Sequence, residues 1–272
     1  MPGSERRSRP APPITSTTNE RVKAIRALHD PTKRRAQRRF FVEGIRLLEA
    51  ALAAGRHPEL ALVDEDRLLV TPRGRALLGS LDPDRVLFVG EKVLLSVVDT
   101  LAPQGVVAVF AYDPEPAQPS PDVHLLVLDG LQDPGNVGTA LRSAEAAGFG
   151  AVLLVPRSTD VYAPKVVRAG AGAHFTLALY PECDWPRVRA LSGDRRLVVA
   201  TAQAPRAYFE LDWTVPTTLV VGSEAHGPSP TALEQADERV SIPMVGRAES
   251  LNAGVAASII VFEALRQRLA VS

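Results

Sequence analysis

From Val123 onward the chain alternates short apolar runs with amphipathic segments, and several of the runs break into Gly, Pro and polar residues. Strands are expected at 123–129, 151–155, 175–180, 197–201, 219–222 and 239–242. Helices are expected at about 137–148, 164–170, 184–191, 230–236 and 252–269. A strand that reaches its neighbour through a helix returns parallel to it, so this half is expected to be an α/β fold with a mostly parallel sheet and helices on both faces. In such sheets ligands bind outside the carboxyl ends of the strands.

Three loops at those ends carry more chemistry than a core requires. They lie in Leu128–Arg142, Val221–Pro228 and Ser241–Ala253, and they bring Asn136, Arg142, Glu224, Ser250 and Asn252. Each has a purely structural explanation. Asn136 could be the cap of the following helix, Arg142 could snorkel from an apolar helix face, and Glu224 could be a solvated loop residue. The small residues Ala253, Gly254, Ala256, Ala257 and Ser258 suit a tightly packed helix. Alternatively Arg142 is held in a cleft for an anionic group. A dinucleotide-dependent oxidoreductase is disfavoured, because the G-x-G-x-x-G spacing is absent and Val155-Pro156 stands where a ribose-binding acid belongs.

Ahead of this half the residues suggest a smaller α/β unit. A helix over roughly Glu20 to His29 is capped by Thr18 or Asn19, followed by a strand at Phe40–Val42 and a helix from Gly44 to Ala54 closed by Gly55. Strands at 60–63, 86–89 and 105–112 and a helix at 92–100 complete it. The expected divisions are a disordered tail at 1–18, a basic helical arm at 19–39, an α/β domain at 40–112, a Pro-rich semi-rigid linker at 113–122 and the large α/β domain at 123–272.

The net charge of zero conceals a division. Residues 1–46 hold 12 Lys/Arg against 4 Asp/Glu, and residues 47–272 hold 19 against 27. Arg21, Lys23, Arg26, Lys33, Arg34, Arg35, Arg38 and Arg39 form the basic run. It is either a solvated helix face or a grip on a polyanion such as RNA. The lone Cys183 excludes an internal disulfide and suits a reducing cytoplasm. Five dispersed histidines offer no metal-ligand spacing, no apolar run reaches a membrane span, and Met1–Pro13 lacks the apolar centre of a signal peptide.

Taken together the three loops resemble the motifs of the SpoU/TrmH group of SPOUT methyltransferases. The first is Asn136-Val-Gly-x-x-x-Arg142, the second Gly222-Ser-Glu224-x-x-Gly227, and the third Ile242-Pro-Met followed by Ser250-Leu-Asn252. Phe41-Val-Glu-Gly-Ile-Arg46 and Leu101-Ala-Pro-Gln-Gly-Val106 resemble that group's L30e-like substrate-binding domain. Ala225 replaces a commoner Gly, and Gly170 stands where Ser is frequent.

The resemblance implies transfer of a methyl group from S-adenosylmethionine to a ribose 2′-hydroxyl, in 23S ribosomal RNA ahead of tRNA. It also implies a deep trefoil knot, against the rule that chains avoid knots, and an obligate homodimer. Arg142 would orient the ribose and stabilise charge developing on its oxygen, with Asn136, Glu224, Ser250 and Asn252 around it. Gly222, Ile242 and Leu251 would read the cofactor through their backbone, with Met244 and Ala202 as apolar walls. A non-catalytic RNA-binding module of the same fold is the competing expectation, and a tritium-transfer assay separates the two.

Overall fold

A computed structural model describes residues 12–100, 102–247 and 250–271. The chain forms two compact units, Met1–Ala111 and Tyr112–Ser272. Leu101, Ala248 and Glu249, which fall in or beside the motifs, and the first 11 residues of the expected tail lie outside the described residues.

The first unit contains α1 (Glu20–Ala27), α2 (Pro31–Gln37), β1 (Arg39–Glu43), α3 (Ile45–Ala53), β2 (Leu60–Val63), α4 (Glu65–Leu68), α5 (Pro72–Ser80), β3 (Val86–Phe88), α6 (Glu91–Leu95) and β4 (Val106–Ala111). Its sheet has the order β1-β4-β2-β3, with β4 antiparallel to both neighbours and β3 parallel to β2. Asn19 caps α1 by accepting from the Arg21 N–H. Val22, Ile25 and Leu28, three residues apart, bury one face of this segment against Phe41, Leu62, Val93 and Val107.

Residues 19–39 are therefore not a separate arm: their apolar spacing makes them part of the core. Arg34 is buried, and its guanidinium donates to the carbonyls of Leu28 at 2.6 Å and His29 at 2.8 Å. It satisfies carbonyls left open at the end of α1, which removes it from the basic residues that could meet a phosphate. The expected disorder also ends early. Ile14 pairs with Val89 at the edge of β3, donating to Phe88 O and accepting from Gly90 N.

The second unit contains β5 (Leu125–Asp129), α7 (Pro134–Ala146), β6 (Ala151–Leu154), α8 (Pro164–Ala169), β7 (Ala178–Tyr180), α9 (Trp185–Ser192), β8 (Arg196–Ala200), β9 (Thr217–Gly222), α10 (Pro230–Gln235), β10 (Glu238–Val240) and α11 (Ala253–Val271). All six strands are parallel, in the order β10-β8-β9-β5-β6-β7. Every residue of β5, β6 and β9 is buried, as continuous apolar runs in a doubly covered sheet should be. The chain leaves β5 toward β6 and leaves β9 toward β10, in opposite directions along the sheet. Since β5 and β9 are neighbours, a crevice opens between their carboxyl ends, where Asp129 lies opposite Gly222.

The Pro-rich segment is strapped to this unit instead of spanning free. The Tyr180 hydroxyl donates to Ala117 O at 2.7 Å, Arg187 forms a two-pronged pair with Glu115, and Arg195 donates to Ser120 O and Val123 O. Tyr112 stacks on Tyr162 with ring centroids 3.9 Å apart. Among the described residues, no helix is long and apolar enough to cross a membrane.

Two histidines are buried in the second unit. His124 stacks on Phe149 and accepts from the Thr217 N–H at Nδ1, and the Nε2–H of His174 donates to Val161 O. Burial lowers the pKa of each from 6.5 to about 4. The neutral ring is thus favoured in the fold, so its stabilisation is complete above pH 6.5 and is lost as pH falls toward 4. Each histidine should cost the fold about 2 kcal/mol between pH 7 and pH 5. Urea unfolding of wild type and His124→Gln at both pH values should show a smaller acid loss in the variant. Equal losses would mean that His124 is not held neutral.

Candidate active site

The site is built where three loops meet at the crevice. The first follows β5. Asp133 caps α7 by accepting from the Asn136 N–H at 2.8 Å, with Pro134 in the first helical position. Asn136 is therefore not the cap. It lies in the first turn with its side chain buried and available for another task.

The second loop follows β9. Ser223 and Gly227 exchange backbone hydrogen bonds at 3.0 and 2.9 Å, closing a tight loop. This loop folds back so far that a Cβ on Gly222 would lie 2.1 Å from Pro228 N. Gly222 is thus required first by the chain's own backbone. A buried Asp129 accepts from the Ser229 N–H at 2.7 Å, tying the return of the loop to the end of β5, and Ser229 in turn caps α10. Glu224 stands at the exposed tip.

The third loop leads into α11. Asn252 accepts from the Val255 N–H at 3.1 Å and so caps this helix. α11 packs along α7, and a Cβ on Gly254 would come within 2.9 Å of Asn136 O. Further along the same contact, Ser143 and Ser258 share a hydrogen bond of 2.7 Å.

These placements join three residues of the three motifs. Asn136 Nδ2 donates to Glu224 Oε1, and Asn252 Nδ2 donates to Asn136 Oδ1 at 2.6 Å. The amino ends of α7 and α11 meet there, and their partial positive charge favours an anionic group nearby. Two amides on rigid helix starts and a carboxylate on the β9 loop can orient a hydroxyl and accept a hydrogen bond from it.

Arg142 is not drawn into this cluster. Six residues beyond Asn136 on α7 it is turned about 120° around the helix axis, and it is exposed. Ser250 is exposed as well. Ala202 follows β8, Gly222 ends β9, and Ile242 and Met244 follow β10, so these candidates share the carboxyl edge of three adjacent strands. The loops there are joined by Thr201 N to Val240 O, Tyr208 N to Ser241 O and Ser241 N to Arg206 O. Ile242 and Leu251 are half-buried, while Ala202 and Met244 are exposed.

On the first unit Arg21, Lys23, Arg26, Lys33, Arg35, Arg38 and Arg39 are exposed. Lys23 pairs with Glu20 and Arg39 with Glu59. The sequence reading overlooked Asp129 and Asp133. Asp133 was legible as Asp-Pro at a helix start, whereas the partner of Asp129 is 100 residues away. Among the described residues no group of three His, Cys, Asp or Glu could hold a metal ion.

Residues 124–262 match the SpoU rRNA Methylase family, and residues 19–108 match the MRM3-like substrate binding domain. An uncharacterized tRNA/rRNA methyltransferase of Synechocystis sp. is 36% identical over 95% of both chains. The 23S rRNA (guanosine(2553)-2′-O)-methyltransferase of Bacillus subtilis is 32% identical over 92% of this chain and 97% of its own. The crystal structure of the Streptomyces viridochromogenes SpoU methyltransferase AviRb with the cofactor AdoMet is 30% identical and superposes with a TM-score of 0.81, over 92% of this chain and 98% of that one. With one residue of each motif joined at one crevice and a family model matching most of each unit, the chain belongs to the SpoU rRNA methylase family.

Proposed function

We propose that this chain methylates a ribose 2′-hydroxyl of RNA with S-adenosylmethionine as donor, and that the RNA is large-subunit ribosomal RNA. The observation that carries this reading is the linked set Glu224, Asn136 and Asn252, assembled from three loops at the switch point of the sheet. The B. subtilis relative acts on a guanosine of 23S rRNA, and a S. viridochromogenes relative, 32% identical over 96% of this chain, acts on a uridine of 23S rRNA. A 2′-hydroxyl is what separates RNA from DNA, whatever the base.

The carboxyl edge of β8, β9 and β10 fits an adenosyl group. Its backbone is brought close by the tight loop at Gly222, and Ile242, Leu251, Met244 and Ala202 supply apolar surface. S-adenosylmethionine bound there supplies an electrophilic methyl group. The protein's part is to align the 2′-oxygen and to stabilise the charge that develops on it. Glu224, steadied by Asn136, accepts from the hydroxyl. Arg142 stabilises the oxygen as a fixed cation, because a guanidinium does not give up its proton. Ser250 and Asn252 complete the polar rim.

A homodimer accounts for the position of Arg142. Turned away from the Asn136 face of its own helix, it is free to serve the site of a second copy. On α11, Val255, Phe262 and Leu269 lie seven residues apart and are 44%, 46% and 68% exposed, an apolar stripe that a twofold contact would cover. The trefoil knot of the family fits the same path. The chain leaves β10 at the sheet edge and returns to pack α11 on α7, with Gly254 pressed to the Asn136 backbone. The first unit is the substrate-binding domain, its exposed cations meeting the RNA backbone. A cytoplasmic location is our reading; the lone, buried Cys183, which forms no internal disulfide, is compatible with a reducing compartment.

Tritium transfer from labelled S-adenosylmethionine to ribosomal RNA tests the reaction. Arg142→Ala should lower it about a hundredfold to a thousandfold without changing circular dichroism or cofactor binding. Activity within threefold of wild type would remove Arg142 from the chemistry.

Phe262→Asp places a charge in the middle of the stripe. Light scattering should then report a monomer and methyl transfer should vanish, while a fully active monomer would refute the shared site.

For the basic surface, replacing Lys33, Arg35 and Arg38 with Ala should weaken RNA binding and flatten its log–log salt dependence by about 2 to 3. An unchanged slope would mean that these cations are only solvated.

A further inference from the structure

The cluster has a direction. The amide oxygen of Asn252 accepts from the Val255 N–H at 3.1 Å, which leaves its Nδ2 to donate to Asn136 Oδ1 at 2.6 Å. An Asn136 oxygen that accepts there leaves the Asn136 amide nitrogen facing Glu224, to which it donates. An amide offers one acceptor end and one donor end, so neither asparagine can turn over without breaking a bond at each side. The backbone N–H of α11 is the fixed end of this series, because a backbone donor cannot be reversed.

We infer that Asn252 is a positioning residue, which uses the start of α11 to fix the donor–acceptor direction of Asn136 and thereby obliges Glu224 to present an acceptor. The inference rests on the crevice being the methyl-transfer site. Held this way, Glu224 has one oxygen engaged by Asn136, and its second oxygen makes no hydrogen bond among the described residues. That oxygen is left to accept from the ribose hydroxyl.

Reversing the direction tests this. Asn252→Asp keeps the cap, since a carboxylate accepts from Val255 N–H and suits a helix amino-terminus. It cannot donate, so an acceptor faces Asn136 Oδ1. If Asn136 turns over, its oxygen faces the Glu224 carboxylate instead. One proton on either carboxylate relieves the conflict.

The ionisable groups on the elements that form the cluster are Asp129 at the end of β5, Asp133 before α7 and Arg142 and Glu145 on it, Glu224 and His226 on the β9 loop, and Arg247 and Glu249 in the sequence between β10 and α11; α11 itself has no ionisable residue before Glu263. Wild type and Asn252→Ala share all of these, so their pH profiles subtract any contribution of His226. Asn252→Asp should melt roughly 3–6 °C below wild type at pH 8 and recover as pH is lowered to 6. Its single-turnover methyl transfer should be depressed tenfold or more at pH 8 and recover over the same range. Asn252→Ala should be defective without recovering.

The double variant Asn252→Asp/Glu224→Gln supplies a donor at the far end, so the whole series can run backwards without a proton. Its melting temperature should return toward wild type at pH 8 and lose the pH dependence. If Asn252→Asp melts with the pH dependence of wild type, or the double variant does not regain stability, the inference falls. If both melting results hold while wild type transfers no methyl group to RNA, the direction stands and the proposed reaction falls.

Discussion

The contact on which the site depends is the approach of α11 to α7 at Gly254. A single methyl group there would press on the Asn136 carbonyl from 2.9 Å, closer than real Cβ atoms come without moving a neighbour. Close packing of this kind resists small displacements because protein interiors have little free volume. It brings the cap of one helix within hydrogen-bonding distance of the first turn of the other. Asn252 can then do two things at once, closing α11 and orienting Asn136. A larger residue at Gly254 would push the helices apart and break the link to Glu224 without touching any polar group.

The crevice itself follows from strand order. Neighbouring parallel strands whose chains depart in opposite directions leave a gap that no crossover fills, and β5 and β9 are such a pair. Their ends are tied by Asp129, which holds the Ser229 N–H, and by the loop folded over Gly222. A Gly222→Val substitution would not isolate cofactor contact. Its Cβ would strike Gly227 and Pro228 before any ligand, so the substitution reports loop folding and cannot separate that from binding.

The alternation of apolar runs with helices made the parallel sheet legible, because a buried strand has to be apolar throughout. The motif residues were legible as polar outliers at strand ends. The failures share a cause, which is that partners far apart in sequence carry no local signal. Residues 19–39 read as a basic arm from their charges, yet Val22, Ile25 and Leu28 already had the spacing of a buried face, and that spacing prevailed. Arg34 is indistinguishable by sequence from its exposed neighbours, and its carbonyl partners in the preceding turn decide its fate. The prolines of 113–121 suggested a spacer, but Tyr180, Arg187 and Arg195 bind its carbonyls and Glu115 from across the unit. Asp133, not Asn136, caps α7, which leaves the Asn136 side chain for the cluster.

The chemistry of the cluster also bears on how a substrate is chosen. Two asparagines and a glutamate, the groups joined there, can address a hydroxyl, and a base edge is not needed for that task. Relatives that act on a guanosine and on a uridine fit this indifference. Selection of the nucleotide then falls to the shape of the RNA and the geometry with which it is presented. Exposed cations such as Lys33, Arg35 and Arg38 would, in the proposed role, meet phosphate, a contact that carries no base information. On the proposed function, discrimination therefore rests on how a folded RNA presents one ribose to the crevice. A short single strand containing the right base would lack that presentation, and on the proposed function it is a poor substrate.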